Sequence, residues 1–205
     1  MTMLQELTDS LRTRKKMNLL MAAVNIAVFL VLSFLGDTED AQFMYTHGAC
    51  YTPAILDGEY WRLLTGMFLH FGAVHLIMNM VCLISIGDML ETMAGPVRYL
   101  VIFLLGGLAG NLVSMAWDMH TLRYAVSAGA SGAVFAVIGA LFVYMLRTKS
   151  VQGERMVRRM GIMVVLMAAE GFTQTGTDNA AHIGGLLAGM LLALILPTGS
   201  RGRFI

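Results

Sequence analysis

The feature that most constrains this chain is its series of long apolar runs. A helix needs about 20 predominantly apolar residues to cross roughly 30 Å of hydrocarbon. Such runs cover residues 17–35, 68–90, 97–117, 124–146 and 180–196, the last closed by Pro197, and a shorter one covers 160–172 and carries Glu170 near its end. Hydrophobic residues make up 57% of the chain and charged residues 13%, against about 45–50% and about 25% in soluble domains. Mean hydropathy is +0.70. So few charges cannot cover that much apolar side chain in water, and in lipid a helix satisfies its own backbone. The runs therefore predict an all-α membrane protein with six transmembrane helices.

Cationic side chains set the expected orientation, because Lys and Arg are retained on the cytoplasmic side. With six spans both termini lie on one side. That side holds twelve cations, among them Arg12, Lys15, Lys16, Arg98, Arg147 and Arg203, and the other side holds only Arg62 and Arg123, of 14 in all. Both termini are thus expected in the cytoplasm. Residues 1–16 form a cytoplasmic segment, 17–197 the membrane core and 198–205 a cytoplasmic tail. The first sixteen residues are polar and mixed in charge, and no small-residue cleavage site follows the first run, so a cleaved signal peptide is not expected. This short segment suggests no regulatory domain. The external stretch 36–67 is too long for a simple connector, and its aromatic residues, including Tyr45, Tyr51, Tyr60 and Trp61, suit a membrane interface.

A net charge of +1 provides no field for nucleic acid. Cys50 and Cys82 are expected to be unpaired thiols, since Cys82 falls inside an apolar run. Neither a Cys pair motif nor HExxH is present, so no metal or cofactor is expected. Small residues recur at helical spacing. Gly106 and Gly110 form one GxxxG, Gly185 and Gly189 another, and Gly132, Ala136 and Ala140 share one face. Ordinary helix packing accounts for such faces, and it identifies helices that can approach closely.

Polar groups inside spans are costly and direct attention to function. The fourth run contains Ser131 between Gly129 and Gly132. A lone intramembrane Ser usually bonds to a carbonyl one turn back, but the glycines remove bulk around this hydroxyl. His182 stands at the start of the last run, beside Gly184 and Gly185. The topology places Ser131 and His182 at similar depth. A Ser hydroxyl needs a base within about 2.6–3.2 Å to act as a nucleophile, and imidazole suits that task. His70, His75 and Asn79 lie in the same half of the second run, with His75 and Asn79 four apart on one face. They could form an interhelical hydrogen-bond pair, or donate to the oxyanion of an acyl-transfer reaction.

Together these residues resemble the rhomboid proteases. Gly129-Ala130-Ser131-Gly132 is similar to the family's GxSG, and the stretch from Ala181-His182 through Gly185 to Gly189 resembles its AHxxGxxxG helix. His70, His75 and Asn79 match HxxxxHxxxN, Trp61-Arg62 matches the Trp-Arg pair of the first external loop, and Glu91 with Gly95 matches an ExxxG. The resemblance covers nearly the whole chain and is nearest to the bacterial, six-helix form. It implies a rhomboid-like bundle in the cell membrane with a site open to the extracytoplasmic side. It implies an intramembrane serine endopeptidase acting through an acyl-enzyme on transmembrane protein substrates. Ser131 would be the nucleophile and His182 the general base of a dyad, with His75, Asn79 and the Ser131 amide as oxyanion hole. Asp178 is the carboxylate nearest His182 in sequence, but no acidic third member is implied. The fifth helix and residues 171–179 would form a gate. Phe135 departs from the family's usual Tyr; it keeps a ring to stack on His182 but lacks the hydroxyl.

Two other classes compete. An inactive relative that binds membrane clients would typically lack the Ser or the His, and both are present. A channel or transporter often shows internal repeats, and none relates the two halves of this chain.

Overall fold

The computed structural model describes residues 15–148, 158, 177–196 and 198. They form helices and their connections, with one isolated antiparallel bridge between Cys50 and Ser127. In chain order the helices are α1 (Lys16–Leu35), three short ones, α2 (Ala41–Thr46), α3 (Thr52–Leu56) and α4 (Arg62–Thr65), then α5 (Gly72–Ala94), α6 (Pro96–Thr121), α7 (Ser131–Thr148) and α8 (Asn179–Ile195). A single 3-10 turn, Gly66–Phe68, precedes α5. Helices α1, α5 and α6 are long and apolar enough to cross a membrane, while α7 and α8 are apolar but shorter. The predicted fifth span, 160–172, lies outside the described residues.

Local chemistry sets the helix ends. Gly95, at φ +83°, closes α5, and Pro96 opens α6 directly after it; a left-handed Gly stop followed by Pro at the first helical position joins two antiparallel helices with minimal chain. The first turn of α1 is capped across space, because the Glu91 carboxylate accepts from the N–H of Met17 at 3.3 Å and of Asn18 at 2.8 Å. A carboxylate there satisfies orphan donors and faces the positive end of the helix dipole. Asn18 donates to Asp88 and accepts from the buried Tyr99 hydroxyl.

Small residues seat α8. A Cβ on Gly185 would strike the carbonyl of Gly132, one on Gly189 the carbonyl of Ala136, and one on Gly139 the carbonyl of Leu186. From Ser131–His182 through Gly132–Gly185 and Ala136–Gly189 to Tyr144–Leu196 the contacts advance along both helices, so α7 and α8 run parallel. At their far ends Arg147 donates to the Ala193 carbonyl of α8 and Tyr144 to the Leu196 carbonyl just past it. Helix α6 runs antiparallel to α7, with Gly106 against Ala136 and Gly107 against Ala133, and its Gly110 meets Ala181 of α8. The start of α1 and the end of α8 consequently lie at one end of the bundle, with Lys15, Lys16, Arg98 and Arg147, while Arg62 and Arg123 lie at the other. Outward faces are apolar: Phe34 is 92% exposed, and Val74, Ile77, Leu187 and Leu191 are exposed too, as lipid-facing positions should be.

Two sequence expectations need correction. The fourth apolar run was expected to be helical over 124–146, but α7 starts only at Ser131. Residues 127–130 instead spend their amides sideways: Ser127 N bonds Cys50 O at 2.9 Å, Gly129 N bonds Gly66 O at 2.9 Å, and Ala130 N donates to His70 Nε2 at 3.4 Å. Hydropathy cannot separate a helix turn from an extended segment whose partners lie in a distant loop. His70 likewise precedes α5, on the extended link after the 3-10 turn.

Candidate active site

Ser131 is the first residue of α7. Val134 N bonds back to Ala130 O at 2.9 Å, so the amides of the first turn, including that of Ser131, have no intrahelical acceptor. The hydroxyl therefore sits beside free donors at the positive end of a helix. Gly129, at φ +148°, delivers the chain into this turn. A Cβ there would stand 2.7 Å from His75 Cε1 and 2.9 Å from its Nε2. Glycine is thus required twice, by backbone angle and by the imidazole lying against it.

Helix α8 brings His182 to the same place. Its Nε2 stands 2.8 Å from Ser131 Oγ, within the reach a Ser–base pair requires. The Phe135 ring, one turn along α7, stacks on the imidazole at 4.4 Å and 14°. His182 Nδ1 is buried and has no hydrogen-bond partner among the described residues. Asp178, at the head of α8, uses its carboxylate elsewhere: Oδ1 accepts from Ala181 N at 2.9 Å and Oδ2 from Ser114 Oγ at 2.5 Å.

His75 is half-buried, edge-on to the fully buried His70 at 5.2 Å. Asn79 lies one turn further along α5, buried, its amide donating to the His75 carbonyl at 3.0 Å. A primary amide has two N–H donors, so one remains. Ser131, His182, Phe135, Gly129, Gly132, Gly185, His70 and His75 thus come together. Asn79 adjoins them, one turn along α5 from His75, and the remaining sequence candidates lie elsewhere. Gly189 packs on Ala136 further along α8. Arg62 is buried within the 36–67 segment, bonding Glu59 at 2.6 Å and the carbonyls of Tyr45 and Ala49, with its guanidinium against the rings of Tyr45 and Trp61. Glu91 caps α1 at the opposite end of the bundle.

Two elements of the site escaped sequence reading. The first is the triple anchorage of 127–130 by Cys50, Gly66 and His70, which leaves no local pattern. Cys50 is part of it: its thiol donates to Arg62 O at 3.1 Å, and burial pushes its pKa up to about 12. The second is the Asp178–Ser114 tie. Its only trace is an Asp immediately before an apolar helical run, the usual signature of a helix start.

Comparison with known sequences agrees with this arrangement. The Rhomboid domain profile matches residues 57–198. The chain is 33% identical over 185 residues to Rhomboid protease GluP of Bacillus subtilis, covering 90% of this chain and 36% of that protein. It is 36% identical over 151 residues to RHOMBOID-like protein 5 of Arabidopsis thaliana, covering 73% and 48%. It is 35% identical over 149 residues to Rhomboid-like protease 3 of Toxoplasma gondii, covering 71% and 55%. The chain therefore spans between about a third and about half of these relatives' lengths.

Proposed function

Because the chain belongs to the rhomboid family, we propose that it is an intramembrane serine endopeptidase that cuts other membrane proteins in or near their transmembrane segments. The observation that carries this reading is the 2.8 Å hydrogen bond between Ser131 and His182 inside an apolar helix bundle. Ser131 Oγ attacks the scissile carbonyl carbon while His182 Nε2 takes its proton. The carbonyl oxygen becomes an oxyanion, met by the Ser131 amide, His75 and Asn79. When this intermediate collapses, the C–N bond breaks, the imidazolium protonates the departing amine, and an acyl-ester remains on Ser131. A water deprotonated by His182 then hydrolyses the ester. Phe135 holds the imidazole plane by stacking. Gly129 and Gly132 leave room for a substrate backbone.

The membrane arrangement follows the same reading. The chain crosses the bilayer six times with both termini in the cytoplasm, and the site opens to the extracytoplasmic face of the cell membrane. Supporting this, Lys15, Lys16, Arg98 and Arg147 stand at one end of the bundle and the dyad at the other. The fifth helix and the segment 171–179, of which 171–176 lie outside the described residues, act as the gate for substrate, with Asp178 as its anchored end.

The test is cleavage of a single-span substrate by protein reconstituted in liposomes, alongside labelling by a fluorophosphonate. Ser131→Ala loses both, and His182→Ala loses several orders of magnitude in rate while staying folded. Labelling that survives Ser131→Ala, or normal turnover by His182→Ala, removes the assignment.

A further inference from the structure

We propose that Asp178 is a positioning residue for the general base: it caps α8 and ties its first turn to Ser114 of α6, holding His182 over Ser131. The inference rests on the dyad assigned above and deepens it.

Imidazole bases are commonly oriented by a hydrogen bond to their second nitrogen. Here Nδ1 of His182 has no such partner among the described residues. Phe135 fixes the plane of the ring, but stacking leaves the ring free to slide. The place of Nε2 must therefore come from where the backbone of α8 begins. That start is held from two sides. On one side Gly185 seats against the Gly132 carbonyl of α7. On the other, the buried Ser114 of α6 donates to Asp178 at 2.5 Å, the short distance expected of a hydroxyl bonded to a carboxylate.

The same carboxylate uses its second oxygen to cap Ala181 N, and the Asp178 carbonyl accepts from His182 N at 3.1 Å. One residue thus joins the amide of the base, the amide before it and a neighbouring helix. Gly110 and Val113, on the same stretch of α6, lie against Ala181 and Gly184, so the tie acts where the helices already touch. Asp178 does not contact the imidazole and takes no proton. It removes the sliding and rotation of α8 that would lengthen the Ser131–His182 bond.

The experiment uses the full chain in liposomes, with kcat and KM for a single-span substrate, the fluorophosphonate labelling rate at Ser131, and the thermal midpoint. In Asp178→Ala, kcat and labelling rate fall together on the order of 10- to 100-fold while KM stays within about twofold, as expected when reacting groups are misplaced. Ser114→Ala, which leaves the cap intact, loses roughly 3- to 10-fold, and the double variant is no worse than Asp178→Ala, because the two act as one unit. Asp178→Asn recovers to within about threefold of wild type, since its oxygen still caps Ala181 and its amide donates to the Ser114 hydroxyl.

Wild-type kcat in Asp178→Ala overturns the proposal. So does a loss that Asp178→Asn does not recover, or one that appears in KM and the thermal midpoint instead of kcat. If Asp178→Ala does not fold, wild-type kcat in Ser114→Ala is decisive against it. Cleavage by Ser131→Ala removes the dyad and this inference together, whereas an inert Ser131→Ala beside an unaffected Asp178→Ala removes the inference alone.

Discussion

Helix α1 is held to α5 and α6 by side chains, whereas α8 is held to α7 chiefly by backbone. At the first contact, Glu91, Asn18, Asp88 and Tyr99 form a hydrogen-bonded cluster, and Gly87 exists there to admit the Asn18 amide. At the second, Gly185, Gly189 and Gly139 each admit a carbonyl of the facing helix. Side chains can re-pack when one of them is lost. Backbone in contact with backbone has no rotamer to adjust, so the distance between the helices is set to within the size of a methyl group. The Ser131–His182 contact sits on the second kind of interface, where an error of one methyl separates the two side chains.

The sharpest way to break this contrast is Gly185→Val. It forces side-chain atoms into the Gly132 carbonyl, and it should cost at least about 1–3 kcal/mol of stability and lower kcat more than about 100-fold. Detergent unfolding and liposome cleavage measure the two, and a fully active variant would contradict the contrast. Next in size is Glu91→Ala, which leaves the α1 amides of Met17 and Asn18 uncapped. Losing hydrogen bonds to a charged group should cost about 1.5–3 kcal/mol in the same unfolding assay, yet the kcat of the folded fraction should change less than about twofold, because the cluster stands at the end of the bundle away from the dyad.

Phe135→Leu, which removes the ring but keeps most of the volume of a buried side chain, should cost less than about 1.5 kcal/mol in stability and be visible in kcat. An aromatic stack worth about 0.5–1.5 kcal/mol corresponds to a fall of roughly 2- to 10-fold, read in steady-state cleavage. The smallest effect concerns thiol chemistry. Burial raises the Cys50 thiol to about 12, so its neutral form prevails until pH approaches that value, and the thiolate is the species that alkylates. At pH 8, iodoacetamide should label Cys50 only as fast as the chain unfolds. That rate should rise in both Glu91→Ala and Gly185→Val, and more in Gly185→Val, whose loosened contact adjoins the segment that Cys50 anchors.

Much of this arrangement was legible residue by residue. The apolar runs located α1, α5, α6 and α8 to within a few residues, because a lipid-facing helix must be apolar along its whole length. The spacing of His75 and Asn79 located one face of α5. The repeated glycines marked helices that approach closely, and both GxxxG pairs are used in that way, Gly106 with Gly110 on α6 and Gly185 with Gly189 on α8. The extended segment before Ser131 was not legible, since its partners Cys50, Gly66 and His70 are 60 or more positions away, as the His70–Ala130 bond is. Ser114 gave no signal either. It is one hydroxyl in a span, and its carboxylate partner lies 64 residues on.

Composition and order of residues thus decided the solvent this chain folds in, the kind of secondary structure it forms and which polar groups lipid would not tolerate without cause. These are properties of single side chains and short windows, so no folding is needed to read them. Which polar groups meet is another matter. Ser131 and His182 are 51 residues apart, and their contact depends on α7 and α8 lying parallel, on carbonyls seated against glycines and on the head of α8 being tied to α6. Each of those is a relation between distant segments, and packing alone sets it.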